Sequence, residues 1–122
     1  MWKIKKSVLI NAISASNNFM PDEFMCFLGG NKKEELIHEI VFLPTHNNET
    51  SASINEYTIP FDDSIVGTLH SHPNGSSSPS TTDKKFFRKY SLNAILGYPF
   101  FIENISFYNE KGENTQISLI ED

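Results

Sequence analysis

The hydrophobic residues of the chain follow two kinds of spacing, and their alternation predicts an α/β fold. Between residues 4 and 17, apolar side chains such as Ile4, Val8 and Ala12 recur at helical spacing, which indicates an amphipathic helix that ends before Pro21. Short continuous apolar runs bounded by glycine, proline or polar residues indicate strands instead. The strands predicted in this way are residues 24–30, 35–44, 53–60, 64–72 and 93–99.

Two more elements are predicted in the second half of the chain. Residues 81–91, with the sequence TTDKKFFRKYS, indicate a helix of about two to three turns. Residues 105–120 are expected to form a terminal hairpin, with the segment 110–112 near its turn. Helices interspersed among strands favour a mixed α/β layer fold around one sheet, and 122 residues suit a single domain spanning 1–122.

The composition is that of a folded protein, and the charge disfavours binding to nucleic acid. Hydrophobic residues make up 39% of the chain and charged residues 20%, which is typical of globular rather than disordered proteins. The net charge is −5, whereas sequence-independent binding to nucleic acid needs a basic face. We interpret the basic cluster beyond the N-terminus as the solvated face of a helix. This cluster consists of Lys84, Lys85, Arg88 and Lys89.

The cysteine content and the lack of a long apolar segment indicate a cytoplasmic protein. Cys26 is the only cysteine, so no intrachain disulfide can form, and its place within FMCFL predicts a buried thiol. No apolar stretch approaches the roughly 20 residues that a membrane span needs, and the N-terminal segment does not have the pattern of a secretory signal. We therefore expect a soluble cytoplasmic protein that binds neither membrane nor nucleic acid.

The candidate chemistry lies in one stretch, HSHPNGSSSPSTTD, at residues 70–83. Residues two apart on a strand point to the same face, so His70 and His72 project together at the end of the strand predicted over 64–72. The turn that follows, which is rich in proline, asparagine and glycine, would bring Asp83 back towards them in the first turn of the next helix. Two histidines, one carboxylate and an open fourth position are typical of a catalytic zinc site rather than a closed structural one.

The same stretch has other interpretations. Ser80 and Asp83 fit a capping box at the start of a helix, and this role is compatible with metal binding because an N-cap fixes both side chains in space. Two histidines and a carboxylate could also hold non-haem iron as a facial triad, although zinc ranks first. A zinc deaminase is excluded, because that site needs the motifs H-x-E and P-C-x-x-C and the chain has a single cysteine.

The whole string resembles the signature of a known family. The JAMM metalloproteases, also called MPN+ proteins, share the pattern H-S-H, seven residues, S, two residues, D. Here it is formed by His70, His72, Ser80 and Asp83 with no departure in spacing. The family also has a glutamate at the start of a strand that follows the first helix, and Glu23 in PDEFMCFLGG matches that position. Three further segments are similar to the short stand-alone archaeal members of the family: EIVFLP, GTLHSHP and YNEKGE. The resemblance therefore covers nearly the whole chain.

This resemblance implies a fold and a set of residue roles. The fold would be a cytidine-deaminase-like α/β sandwich, in which a curved mixed sheet packs with helices. His70, His72 and Asp83 would bind one zinc ion, and a water would complete its tetrahedron. Glu23 would take a proton from that water and pass it to the leaving amine, and Ser80 would donate a hydrogen bond to the oxyanion.

The resemblance also implies a function. The chain would be a zinc-dependent isopeptidase that cleaves the bond between the C-terminal glycine of a ubiquitin-like modifier and a lysine. A peptidase that processes a linear ubiquitin-like or sulfur-carrier precursor would use the same chemistry. A non-catalytic MPN scaffold is the alternative of another class, and the intact set of zinc ligands argues against it.

Two surfaces could serve the partners that the resemblance implies. Residues 45–63 would flank a groove in which the extended tail of the modifier adds as a strand to a sheet edge, or would form a variable solvent-exposed loop. Exposed edge strands together with Phe100 and Phe101 would permit a homodimer.

Overall fold

The computed structural model shows a strand-rich chain with two α-helices among the described residues. The described residues are 1–42, 46–47, 52–53 and 63–122. In chain order the elements are β1 (Trp2–Lys5), α1 (Lys6–Phe19), β2 (Met25–Asn31), β3 (Leu36–Val41), β4 (His46–Asn47), β5 (Ala52–Ser53), β6 (Ile65–His72), α2 (Thr81–Phe87), β7 (Leu92–Gly97), a 3-10 turn (Ile102–Asn104), β8 (Ile105–Tyr108) and β9 (Ile117–Ile120).

Seven strands form one mixed sheet, with β6 near its middle. The strand order is β8-β7-β6-β2-β3-β1-β9, and β4 pairs separately with β5. Strand β6 is antiparallel to β2 and parallel to β7, and α2 connects the two parallel strands. All residues of β6 except its two ends are buried, as expected for a strand covered on both faces. The carboxyl end of such a strand is a usual place for a ligand site in α/β folds.

The two helices cover opposite faces of this sheet. On one face, Leu9 of α1 belongs to a core cluster that includes Ala94 of β7. On the other face, Phe87 of α2 packs with Ile95 and Tyr108. Ala94 and Ile95 are neighbours on β7, so their side chains point to opposite faces and mark the two layers. The predicted α/β sandwich, with a mixed sheet between helices, is therefore confirmed.

The N-terminal helix predicted over residues 4–17 begins too early and ends too soon. Helix α1 begins at Lys6 and ends at Phe19, and the residues before it form strand β1. Ile4 is buried at period two from Trp2, so it belongs to a strand although it also lies at helical spacing from later apolar residues. The partners of β1 are β3 and β9, which lie far along the chain, so no local pattern reveals this strand.

The terminal hairpin predicted over residues 105–120 has the expected turn and an antiparallel bridge between Tyr108 and Asn114, but its second strand pairs elsewhere. Gly112 has a φ of 77° and donates its N–H to the carbonyl of Asn109, so the chain reverses at the predicted segment 110–112. Strand β9 then pairs in parallel with β1, at the edge of the sheet opposite to β8. This partner lies at the start of the chain, and a hairpin pattern describes only neighbours in sequence.

The other predicted elements are present wherever the structure describes them. Strands β2, β3, β6 and β7 match their predictions within a few residues, and α2 ends at Phe87 rather than at residue 91. The strand predicted over 53–60 lies outside the described residues beyond Ser53, and so does most of the groove segment 45–63.

The single cysteine, Cys26, is buried in the structure. Cys26 is 1% exposed, which confirms the predicted buried thiol, and burial raises the pKa of this thiol to about 12. None of the described helices is long and apolar enough to cross a membrane.

Candidate metal centre

Strand β6 ends in the two histidines of the candidate site. The Nε2 atoms of His70 and His72 lie 3.1 Å apart, so both side chains project to the same face, as the spacing predicts. His70 is buried and His72 is partly exposed. The ring centroid of His70 lies 6.2 Å from that of Phe87, which belongs to α2, so the histidines face the helix that follows them.

The chain turns back directly after His72, and two glycines allow it to do so. The carbonyl of His72 accepts hydrogen bonds from the N–H of Gly75 at 3.1 Å and from that of Tyr98 at 3.2 Å. Gly75 has a φ of 100°, a conformation that residues with a side chain rarely adopt. A Cβ on Gly97 would lie 2.8 Å from the carbonyl oxygen of Gly75, so glycine is needed for the loop to pack on the end of β7.

Helix α2 begins with a capping box that also places Asp83. The Oγ of Ser80 accepts the N–H of Asp83 at 3.1 Å, and the Asp83 carboxylate accepts the N–H of Ser80 at 2.8 Å. The same carboxylate faces both histidines, with Oδ1 at 3.2 Å from His70 Nε2 and Oδ2 at 3.3 Å from His72 Nε2. Helix capping and contact with both histidines therefore occur together at Asp83.

The charges of this cluster depend on one another. Burial acts to raise the pKa of Asp83, but hydrogen bonds from His70 and His72 outweigh it and hold that pKa well below its ordinary value. The hydrogen bond with Asp83 raises the pKa of His72, and burial offsets part of this rise. The Asp83 carboxylate is therefore ionised and favours positive charge where the two imidazoles meet.

A buried polar pair holds the far end of α2. The hydroxyl of Thr68 on β6 donates to Oδ1 of Asn93 at 2.7 Å, and both side chains are fully buried. The amide of Asn93 donates to the carbonyls of Phe87 at 3.4 Å and Tyr90 at 3.1 Å, at the C-terminal end of the helix. Because α2 is anchored to the sheet at this end, its first turn keeps a defined position over the histidines.

Glu23 reaches the same point from another part of the chain. It lies between α1 and β2, and its carboxylate and the ring nitrogens of His70 and His72 all lie within 4.8 Å of one another. A surface cavity opens beside this group. It is lined by Pro21, Glu23, His72, Pro73, Asn74 and Ser80. All five residues that the sequence predicts for the site thus lie at or beside the histidine pair, and their roles stay predictions.

Ser71 is the middle residue of the H-S-H signature, but no role was predicted for it, and the structure shows that it holds the backbone beside Glu23. Ser71 is fully buried, and its Oγ accepts the N–H of Phe24 at 2.8 Å. Its own N–H donates to the Phe24 carbonyl at 2.9 Å. Period-two alternation between His70 and His72 shows that this side chain faces away from them, but the sequence does not show what it meets there.

The donor atoms of the site suit a divalent cation. Nδ1 of His72 lies 2.8 Å from the carbonyl oxygen of Ser76, which can only accept, so Nδ1 carries the proton and Nε2 of the neutral ring keeps its lone pair. The Asp83 carboxylate lies 3.2 Å from His70 Nε2, whereas the ligand atoms that lie within 4.8 Å of one another are those of Glu23, His70 and His72. Two imidazole nitrogens and carboxylate oxygens are typical ligands of zinc.

Similar proteins are found both by sequence and by structure. The family described as prokaryotic homologs of the JAB domain matches residues 5–108, a range that contains all five predicted site residues. A protein of Haloferax volcanii described as a probable metalloprotease is 26% identical over 119 residues, which cover 90% of this chain and 74% of that protein.

Two solved structures share the fold over almost their whole length. One is described as "JAMM: A Metalloprotease-like Zinc Site in the Proteasome and Signalosome"; it is 29% identical, with a TM-score of 0.77 and 99% of both chains covered. The other is a JAB1/MPN domain protein from Archaeoglobus fulgidus, 30% identical, with a TM-score of 0.78 and coverage of 98% of this chain and 99% of that one. The JAMM/MPN fold expected from the sequence is therefore confirmed.

Proposed function

Because the chain belongs to the family of prokaryotic homologs of the JAB domain, we propose that it is a JAMM-type zinc metalloprotease that hydrolyses isopeptide bonds. Its substrate is the bond between the C-terminal glycine of a ubiquitin-like modifier and a lysine. The observation that carries this proposal is the convergence of Glu23 and Asp83 on His70 and His72 beside an open cavity. We assign the activity to one domain, 1–122, working in the cytoplasm.

Three residues hold the zinc ion in this proposal: His70, His72 and Asp83. When bound, zinc supplies a Lewis acid that polarises the scissile carbonyl and lowers the pKa of a bound water to about 7. In the metal-free protein the histidines hold the pKa of Asp83 below its ordinary value, so its carboxylate is charged and available as a ligand at neutral pH. The carbonyl of Ser76 supports the tautomer of His72 that leaves Nε2 free.

Glu23 and Ser80 carry the proton transfer and the stabilisation of charge. Glu23 lines the cavity beside His72, where its carboxylate can take a proton from the attacking water and pass it to the leaving lysine amine. The Oγ of Ser80 already accepts the N–H of Asp83, so its hydroxyl hydrogen is free to donate to the oxyanion of the substrate.

The proposed partners are a ubiquitin-like modifier and its lysine conjugates. A homodimer is a further proposal, and the structure narrows the surface that could form it. Phe100 is buried at 4% exposure, so the contact would depend on Phe101, which is 59% exposed. Light scattering of the wild type and of Phe101→Ala tests this point; a monomer mass for the wild type would contradict it.

The decisive experiment follows the release of a free ubiquitin-like modifier from a lysine-linked conjugate by the zinc-loaded protein. We expect release that stops with a zinc chelator, returns with added zinc, and slows by about 10²–10⁴-fold in Glu23→Gln. Asp22→Asn is the matched control, because it neutralises the neighbouring acidic residue outside the ligand group. Release that continues in the chelator, or that keeps the wild-type rate in Glu23→Gln, would contradict the proposal.

A linear fusion of the same modifier, assayed in parallel, distinguishes the isopeptidase from a precursor-processing peptidase. We expect faster cleavage of the lysine-linked conjugate. Cleavage of the linear fusion alone would assign the same site to precursor processing.

A further inference from the structure

Ser71 lies between the two histidines and binds the chain beside Glu23. It is fully buried, and its side chain points to the face opposite to His70 and His72. Its Oγ accepts the N–H of Phe24 at 2.8 Å, and its N–H donates to the carbonyl of Phe24 at 2.9 Å. One serine therefore satisfies both backbone groups of the residue next to Glu23.

These two hydrogen bonds extend the contact between β2 and β6 past the end of their regular pairing. The last pair of that ladder joins Met25 to His70. Phe24 comes one residue before β2, and its buried ring lies 5.7 Å from the ring centroid of Phe19 and 6.0 Å from that of Phe42. Ser71 thus fixes the backbone at a point where strand pairing has already ended.

The other side of Glu23 is anchored to α1. The N–H of Asp22 donates to the carbonyl of Phe19, the last residue of that helix, at 3.0 Å. Glu23 therefore lies between two backbone anchors. Of these two anchors, the one at Ser71 belongs to the strand that carries the histidines, and it holds the residue directly after Glu23.

We propose that Ser71 is a positioning residue for hydrolysis, which sets the distance between the Glu23 carboxylate and the histidine pair. This inference rests on the proposed function, because it takes Glu23 as the base. A misplacement of about 1 Å can cost ~10²-fold in rate, and loss of the Ser71 hydroxyl is expected to lower kcat by a similar factor. Zinc affinity is expected to stay unchanged, because the ligands do not contact the Ser71 side chain.

Three variants test the role of the hydroxyl group. Ser71→Ala removes the acceptor for Phe24, and Ser71→Thr keeps it. Ser16→Ala is the matched control, because Ser16 is also fully buried and its Oγ has no hydrogen-bond partner among the described residues. The measurements are kcat and KM on a lysine-linked conjugate, zinc affinity by competition with a chromophoric chelator, and the exchange rate of the Phe24 amide by NMR.

The positioning role predicts one combination of results. Ser71→Ala lowers kcat by about 10²-fold with KM and zinc affinity unchanged, and the Phe24 amide exchanges faster. Ser71→Thr restores most of kcat, and Ser16→Ala behaves as the wild type. A fall in zinc affinity of Ser71→Ala that matches the fall in kcat would overturn the inference, because Ser71 would then act on the ligands.

A double-mutant cycle with Glu23→Gln separates positioning from a general loss of structure. If Ser71 acts through Glu23, adding Ser71→Ala to Glu23→Gln lowers kcat no further. An equal loss in both backgrounds overturns the inference. An inactive wild type contradicts the proposed function and with it this role, whereas an active wild type with an unimpaired Ser71→Ala overturns the role of Ser71 alone.

Discussion

The two carboxylates of the site are held in different ways. Asp83 is fixed by residues close to it in sequence: its partner in the capping box is Ser80, and both belong to the start of α2. Glu23 depends on distant parts of the chain, because α1 holds the residues before it and Ser71 of β6 holds the residue after it. Local contacts therefore place Asp83, and tertiary contacts place Glu23. We call these two carboxylates, each with its supporting residues, the local arm and the tertiary arm of the site.

This difference separates the part of the site that would hold the metal from the part that would move protons. Asp83 touches both histidines, so changes at the start of α2 are expected to act first on zinc binding. Glu23 shares the cavity with Ser80, so changes around it are expected to act on turnover while the metal stays bound. The predictions below test this separation.

Asp83→Asn is expected to have the largest effect. Asparagine can still accept the N–H of Ser80, so the helix keeps its cap, but the charge that faces the histidines is lost. We expect zinc affinity to fall by more than about 10²-fold, beyond the loss typical of an outer partner of a ligand, and hydrolysis to be lost with it. Chelator competition measures the affinity, with Asp22→Asn as control. Wild-type affinity in Asp83→Asn would show that Asp83 only caps the helix.

Glu23→Gln is expected to leave zinc in place and to remove turnover. The amide cannot take a proton from water, so kcat should fall by about 10²–10⁴-fold while zinc affinity stays close to that of the wild type. Steady-state kinetics at saturating zinc, together with metal analysis of the same sample, checks both quantities. If this variant loses zinc as Asp83→Asn does, Glu23 is a ligand and the separation between the two arms fails.

Ser80→Ala is expected to affect both arms, because Ser80 caps α2 and lines the cavity. Loss of the oxyanion donor should lower kcat by about 10²–10³-fold. Loss of the N-cap should lower the free energy of unfolding by about 1 kcal/mol. Ser80→Thr keeps the hydroxyl and should retain both properties, and Ser78→Ala is a control in the same loop. Full activity in Ser80→Ala would leave Ser80 with the capping role alone.

The pH dependence of stability should be a smaller effect, and its sign should depend on zinc. In the metal-free protein the folded pKa of His72 lies above its ordinary 6.5, so this stabilisation is present below pH 6.5 and is lost as the pH rises through the folded pKa. The folded pKa of Asp83 lies below 3.8, so its stabilisation is present above pH 3.8 and is lost at lower pH.

In urea unfolding with a chelator, the contribution of His72 and Asp83 should therefore make the free energy of unfolding larger at about pH 5.5 than at about pH 8. With zinc the order should reverse, because protons compete with the metal for His72 Nε2. Asp83→Asn should flatten both dependences. The same slope with and without zinc would show that the metal does not bind at His72.

The sequence predicts the local arm of the site better than the tertiary arm. His70, His72 and Asp83 lie on one strand, turn and helix, so alternation and capping chemistry bring them together without knowledge of the rest of the fold. Glu23 is assigned only through the family resemblance, since nothing around it in sequence marks a base. Ser71 lies within the H-S-H signature, but its role could not be predicted, because its partner Phe24 is a neighbour only in the folded chain.

The same limit explains the errors in the fold. The α/β architecture follows from the order of the helical and strand patterns, and β2, β3, β6 and β7 are found from their apolar runs. Strand β1 and the pairing of β9 were not predicted, because the two strands are parallel partners from opposite ends of the chain. Pairing of this kind depends on the assembled sheet and leaves no local pattern.

The buried pair of Thr68 and Asn93 has a consequence for protein engineering. The motif itself, residues 70–83, looks portable, since it contains both histidines and Asp83. Helix α2 nevertheless depends on two residues outside the motif. The side chain of Asn93 donates hydrogen bonds to carbonyls at the end of this helix, and Thr68 donates one to Asn93. A designer who moves only the signature into another β-α-β scaffold would transfer the ligands without these hydrogen bonds, so Thr68 and Asn93 must be transferred with it.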